Sequence, residues 1–173
     1  MKVAVYQNPW ELEMLLSVLE LEPLFANVLE VGTYEGGTLQ HWIKMSPEVV
    51  VVDDEMRFAD HWRIWADDAQ CDLTLLHGSS HDPQVVAKAR ELGPYDLVFI
   101  DAGHTFADVE ADWNAYGELG RIVALHDILP RPDYGVAELW TMLRQEGVRW
   151  MEICDYATLP GNEGPCGVGL VWT

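Results

Sequence analysis

Short apolar runs alternate with longer segments in which apolar positions recur every three or four residues. The runs Val28–Val31, Val49–Val52, Leu73–Leu76, Leu97–Ile100 and Ile122–Leu125 each end at a glycine or a polar residue. Runs of this length and apolarity fit strands buried on both faces, as in a parallel sheet. Asn8-Pro9-Trp10-Glu11 offers an N-cap, a proline at the first helical position and an acid in the first turn. Leu12, Leu15, Leu16 and Leu19 follow on one face, which predicts a leading helix ending near Pro23. Asp82-Pro83 opens a second helix that stops at Gly93-Pro94. Thr105 and Asp108 have capping-box spacing before Phe106, Val109, Trp113 and Tyr116, and Val136, Leu139, Trp140 and Leu143 mark a further helix. Trp150–Cys154 and Val168–Trp172 read as a closing antiparallel pair. The alternation predicts a three-layer α/β fold, Rossmann-like, with a mostly parallel sheet of about seven strands whose last pair is antiparallel.

The chain has 173 residues, 49% of them hydrophobic, which is enough for one core, so residues 1–173 are expected to form a single domain. Eight tryptophans fall mostly on helical or strand periodicity and are expected to pack in that core. No apolar run approaches the roughly 20 residues of a membrane helix, and the N-terminus lacks a basic-then-apolar leader, so the expected location is the cytoplasm. Cys71, Cys154 and Cys166 form no C-x-x-C pair and are expected to be reduced thiols. A net charge of -19 would repel a phosphate backbone, which argues against a nucleic-acid partner. Most of the carboxylates are expected to be ordinary solvated surface groups.

Chemistry concentrates where strands end. Glu30-Val31-Gly32-Thr33-Tyr34-Glu35-Gly36-Gly37 leaves the first strand and enters a helix carrying Leu39, Trp42 and Ile43. Glycines here let the backbone approach a ligand, although a plain tight turn would need them too. The spacing is not G-x-G-x-x-G, which disfavours a dinucleotide site. The second strand ends in Asp53-Asp54, where an acid can hold both hydroxyls of a ribose or cap the next element. Asp101 and Asp127 end two strands that this topology places side by side, with His126 next to the second. Two carboxylates and an imidazole there suit a divalent cation, magnesium or manganese by the oxygen-rich set, or serve as caps and loop anchors. His104 is a candidate general base, with an orienting role as the alternative.

Leu29-Glu30-Val31-Gly32-Thr33-Tyr34-Glu35-Gly36-Gly37-Thr38 resembles the first motif of class I S-adenosylmethionine-dependent methyltransferases. The resemblance implies that Glu30, Gly32, Thr33, Tyr34 and Gly36 serve the methionine part of the cofactor and Asp53 the ribose. His77-Gly78-Ser79-Ser80 stands where those enzymes carry their adenine-side loop, which assigns Gly78 and Ser79, with a serine where many members have aspartate. Phe99-Ile100-Asp101-Ala102-Gly103-His104-Thr105-Phe106, then Asp112, then Ala124-Leu125-His126-Asp127-Ile128 resembles the subgroup related to macrocin-type and cephalosporin-hydroxylase-type methyltransferases. Catechol-type O-methyltransferases, which are similar, hold a metal on acids at the same strand ends and have a lysine base near the place of His104.

Together the residues and the resemblance predict methyl transfer from S-adenosylmethionine to a small-molecule acceptor, by preference an oxygen nucleophile. Asp101, His126 and Asp127 would bind a metal; His104 and Asp101 would act in catalysis, with Asp101 also bordering the cofactor. Pro130–Gly135 and Asp155–Gly167 are expected to border the acceptor, because loops beyond strand ends carry specificity. A branched side chain at Gly32 is expected to block the ligand while sparing the fold. A homo-oligomer is compatible with all of this. The competing readings are a non-catalytic cofactor-binding module and a nicotinamide-dependent oxidoreductase.

Overall fold

The structure, a computed structural model, describes residues 7–22, 25–156 and 166–173. Helix α1 (Pro9–Glu20) begins where Asn8 caps it, the Asn8 side chain accepting from Trp10 N and Glu11 N. The expected stop at Pro23 lies outside the described residues. There follow β1 (Asn27–Val31), α2 (Leu39–Met45), β2 (Glu48–Asp53), α3 (Ala59–Ala69), β3 (Asp72–His77), α4 (Pro83–Leu92) and β4 (Tyr95–Ile100). After these come α5 (Phe106–Tyr116), a 3-10 turn, β5 (Gly120–His126), α6 (Val136–Gln145), β6 (Arg149–Ile153) and β7 (Val168–Trp172). The side chains of Asp82 and Thr105 cap α4 and α5. Helix α3 is the one α-helix that the periodicity does not single out; its own Trp62 is buried, and its Trp65 packs against the same core.

The seven strands lie in the order β3-β2-β1-β4-β5-β7-β6. The first five run parallel, and β7 inserts antiparallel between β5 and β6. Successive side chains point to opposite sheet faces, which splits the core in two. Val28, Val49, Val51, Leu97 and Phe99 pack against α1, α2 and α3, around Leu15, Leu19, Trp42 and Trp62. Leu29, Val31, Val50, Val98 and Ile100 face α4, α5 and α6, around Val109, Tyr116, Leu139 and Trp140. This is the three-layer arrangement the periodicity predicts. Trp42, Trp62 and Trp140 are buried as expected, whereas Trp10 and Trp150 are exposed. No helix among the described residues is long and apolar enough to cross a membrane.

From β1 the chain steps outward through β2 to β3, then returns to β4 on the other side. The reversal leaves a crevice beyond the carboxyl ends of β1 and β4, the usual ligand site of such sheets. Gly32, Asp53, Asp101 and Asp127 all stand at that edge.

Candidate active site

The turn after β1 is built around a buried acid. Glu30 is fully buried, and its carboxylate accepts from Thr33 Oγ1 at 2.7 Å, from Trp42 Nε1 at 3.1 Å and from Thr38 Oγ1. Thr38 stands at the start of α2 without capping it, because its hydroxyl donates to Glu30 instead. Glu30 thus braces the loop from below. Gly36 also faces inward: a Cβ there would come within 2.5 Å of Trp62 Nε1.

Burial pushes the Glu30 carboxyl up from 4.5 to about 7, against three hydrogen bonds that favour the charged form. A carboxyl whose pKa is raised by folding stabilises the protein most below its unfolded value and loses that contribution as pH rises through the folded one. The rise corresponds to roughly 3 kcal/mol, so stability should fall by about that much between pH 4.5 and just above 7. Glu30→Gln keeps the shape and cannot ionise. Its urea-unfolding free energy should therefore gain on the wild type steadily over that window, and parallel pH curves would remove Glu30 as the cause.

Asp53 ties the loop from the side. Its Oδ2 accepts from Thr33 N at 2.7 Å and Tyr34 N at 2.9 Å, and its Oδ1 from Glu55 N at 2.6 Å. The acid expected at the ribose therefore also organises the glycine loop and the following turn. Three bonds leave part of its acceptor capacity open, since a carboxylate offers about four lone-pair sites.

Two cavities flank this loop. One, of about 560 Å³, is lined by Gly32, Tyr34, Asp53, Ser79, Ser80, His81 and Asp101 among others. The second, of about 330 Å³, is lined among others by Gly32, Thr33, Tyr34, Asp101, His104, His126, Asp127, Arg131, Tyr134 and Cys166. Gly32, Tyr34 and Asp101 belong to both walls. Of the residues singled out from the sequence, Glu30, Gly36 and Gly78 line neither cavity. Arg131 and Tyr134, from the expected border segment Pro130–Gly135, line the second. Residues 157–165 of the other expected border loop lie outside the described residues.

In the second cavity the charges interlock. His104 Nε2 is 3.1 Å from Asp127 Oδ2 and 3.7 Å from Asp101 Oδ1. His126 Nδ1 is 3.2 Å from Asp101 Oδ1 and 3.5 Å from Asp127 Oδ2. Arg131 Nη1 donates to Asp127 Oδ1 at 2.8 Å, and Gln7 Nε2 donates to Asp101 Oδ2 at 2.9 Å. The Tyr134 ring lies 4.5 Å from the His104 ring and 4.6 Å from the Arg131 guanidinium. Asp127 has φ +60, the left-handed region that a short acidic side chain tolerates, at the point where β5 ends.

The Asp101 and Asp127 carboxylates lift His104 to about 9, against burial. Burial alone would depress His126, but the same two carboxylates outweigh it and hold this imidazole well above its usual range. Burial would likewise raise Asp101 and Asp127, yet the imidazoles, with Arg131 at Asp127, keep both low. One donor atom from each of Asp101, His104 and Asp127 lies within 4.8 Å of the others, as do donors from His126, Asp127 and Cys166. These sets suit a divalent cation.

Glu11 is read from the sequence only as the first-turn acid of α1, with no role at the site. Fully buried on α1, it accepts from Asp155 N at 2.7 Å and Gly167 N at 3.1 Å, and so ties the ends of the β6–β7 connection to α1. Cys166, read from the sequence only as a reduced thiol, is brought beside Arg131, with Sγ 3.6 Å from Nη1.

The family described as a methyltransferase domain matches residues 29–128. No curated protein matches the chain. Among solved structures the chain is similar to an O-methyltransferase from Bacillus cereus in complex with SAH, at 17% identity and TM-score 0.74. That match covers 98% of this chain and 84% of the other. It is also similar to TrmK of M. capricolum in complex with S-adenosyl-homocysteine, at 9% identity and TM-score 0.67, covering 96% of this chain and 69% of the other. An rRNA methylase from Streptococcus thermophilus matches at 11% identity and TM-score 0.64, over 98% of this chain and 99% of its own. Identities this low establish the fold, a Rossmann-like methyltransferase sheet.

Proposed function

Because the chain belongs to the methyltransferase domain family, we propose that it transfers the methyl group of S-adenosylmethionine to an oxygen of a small-molecule acceptor. The observation that carries this is the pair of cavities meeting at Gly32, Tyr34 and Asp101. The larger, with Asp53 and Ser79, takes the nucleoside side of the cofactor, and the smaller takes the acceptor. S-adenosylmethionine supplies a methyl carbon activated by its sulfonium. The protein's part is to align the acceptor with that carbon across the shared wall and to receive the acceptor's proton.

His104 is the proposed proton acceptor. It lines the acceptor cavity alone, and Tyr134 and Asp127 fix its ring from two sides. Asp101 and Asp127, with His126, are the proposed cation ligands, and a divalent cation held there would lower the pKa of an acceptor hydroxyl and orient it. Structural relatives include RNA enzymes, but a net charge of -19 disfavours a phosphate-backbone substrate here.

Calorimetric titration tests the cofactor assignment, with NADH as control. S-adenosylmethionine should bind and NADH should not. Asp53→Ala should weaken the cofactor by about 1–3 kcal/mol, the cost of a lost charged hydrogen bond. An acceptor screen that reads S-adenosylhomocysteine release, run with and without a divalent cation, then tests turnover. Tight NADH binding, or equal cofactor affinity in Asp53→Ala, would overturn the assignment.

A further inference from the structure

Beside the larger cavity a buried acid serves a partly exposed imidazole. Asp112, on α5, is fully buried, and its Oδ1 lies 3.2 Å from Nε2 of His81, whose side chain is 39% exposed. Burial pushes the Asp112 carboxyl up, and the Ser80 hydroxyl and His81 pull it back. Taking a carboxylate out of water is costly, so the acid needs a reason to be there. Holding the turn at residues 79–81 does not require it. One helical turn further along α5 the Tyr116 hydroxyl donates to Ser80 O at 2.7 Å, and within the turn His81 N donates to Ser79 Oγ at 3.2 Å. What the acid adds is control of the imidazole. A carboxylate can only accept, so in the neutral ring the facing Nε2 carries the proton and Nδ1 becomes the acceptor.

We propose that His81, its proton fixed by Asp112, reads the adenine of the cofactor, with Nδ1 accepting from the exocyclic amino group. The inference rests on the reading above that puts the nucleoside in the larger cavity. His81 and Asp53, the acid proposed for the ribose, line that one cavity. Other acceptors in the same wall already serve the protein: Ser79 Oγ accepts from His81 N, and Asp108 Oδ2 accepts from Thr105 Oγ1 at 2.6 Å. Adenine carries a donor amino group at C6, whereas hypoxanthine carries a carbonyl acceptor there. An acceptor at Nδ1 favours the first and opposes the second. His81 is thus a specificity-determining residue, and Asp112 is the positioning residue behind it.

The test titrates the full chain, in mildly alkaline buffer, with S-adenosylhomocysteine and with S-inosylhomocysteine, its 6-oxo analogue. By calorimetry the wild type should bind the adenine form at least about tenfold more tightly, and His81→Ala should bring the two to within about threefold of each other. Asp112→Asn keeps the shape, but an amide can donate as well as accept and no longer dictates the tautomer. Nitrogen-15 spectra, with the His81 signals identified by their loss in His81→Ala, should show the wild-type ring protonated at Nε2. In Asp112→Asn the Nδ1-protonated form should grow and the adenine preference should shrink. Thermal melting checks that this variant is folded, and the wild-type spectrum with His81→Ala decides the matter if it is not. Equal binding of the two ligands by the wild type, a preference that survives in His81→Ala, or tautomer and preference both unchanged in folded Asp112→Asn would each overturn the proposal. Failure of the wild type to bind S-adenosylhomocysteine at all would overturn the cofactor reading, and this inference with it.

Discussion

His104→Gln should lower the turnover rate by about 100- to 10,000-fold, the usual contribution of a positioned base, while S-adenosylmethionine affinity stays nearly unchanged. The two readouts separate because His104 lines the smaller cavity and not the larger. Glutamine can still hydrogen-bond Asp127 but cannot take a proton. The acid limb of the wild-type rate profile provides a second readout. With no ion on the carboxylates, Asp101 and Asp127 keep the imidazole charged up to about pH 9, so the rate should climb toward that pH. A cation taking the carboxylates removes the charge that holds the proton, and the limb should move to lower pH. In His104→Gln the limb should vanish. If the variant keeps most of its activity and the same limb, His104 is an orienting group and the proton leaves by another route.

Gly32→Ala should destabilise the protein by roughly 3–4 kcal/mol and lower its melting temperature by about 10 °C. A Cβ at this position would lie 2.3 Å from the carbonyl oxygen of Asp101 and 2.7 Å from the Cα of Ala102, and φ is +86. All the obstructing atoms are backbone, so no rotamer change relieves the clash. Both strand ends are also pinned, by Gly32 N to Val52 O at 2.9 Å and Asp101 N to Val31 O at 2.8 Å. Gly32 is therefore needed by the chain itself, and the expectation that a side chain here would block ligand while sparing the fold does not hold. Thermal unfolding checks this. A Gly32→Ala protein that melts like the wild type yet fails to bind cofactor would return the glycine to a ligand contact.

The local sequence already determined the elements and the edge of the sheet where chemistry belongs. Caps at Asn8, Asp82 and Thr105 are legible because their bonds reach only two or three residues ahead. The apolar runs state which segments are covered on both faces. In a parallel sheet strand carboxyl ends share one edge, so strand order along the chain is enough to gather Gly32, Asp53, Asp101 and Asp127 there. Helix α3 was the exception, because its residues give little local punctuation: Phe58 does not cap it and Gln70 ends it in a left-handed turn. What the site does with its residues was decided by tertiary packing. Gln7 reaches Asp101 across 94 positions, and Glu11 reaches Gly167 across 156. Glu30 becomes a buried brace because Trp42 and Thr38 turn onto it, and Asp53 holds loop amides because β1 and β2 end side by side. Composition and periodicity register neighbours along a helix or strand. The distances and shared burial that set charge and proton occupancy exist only after distant segments pack together.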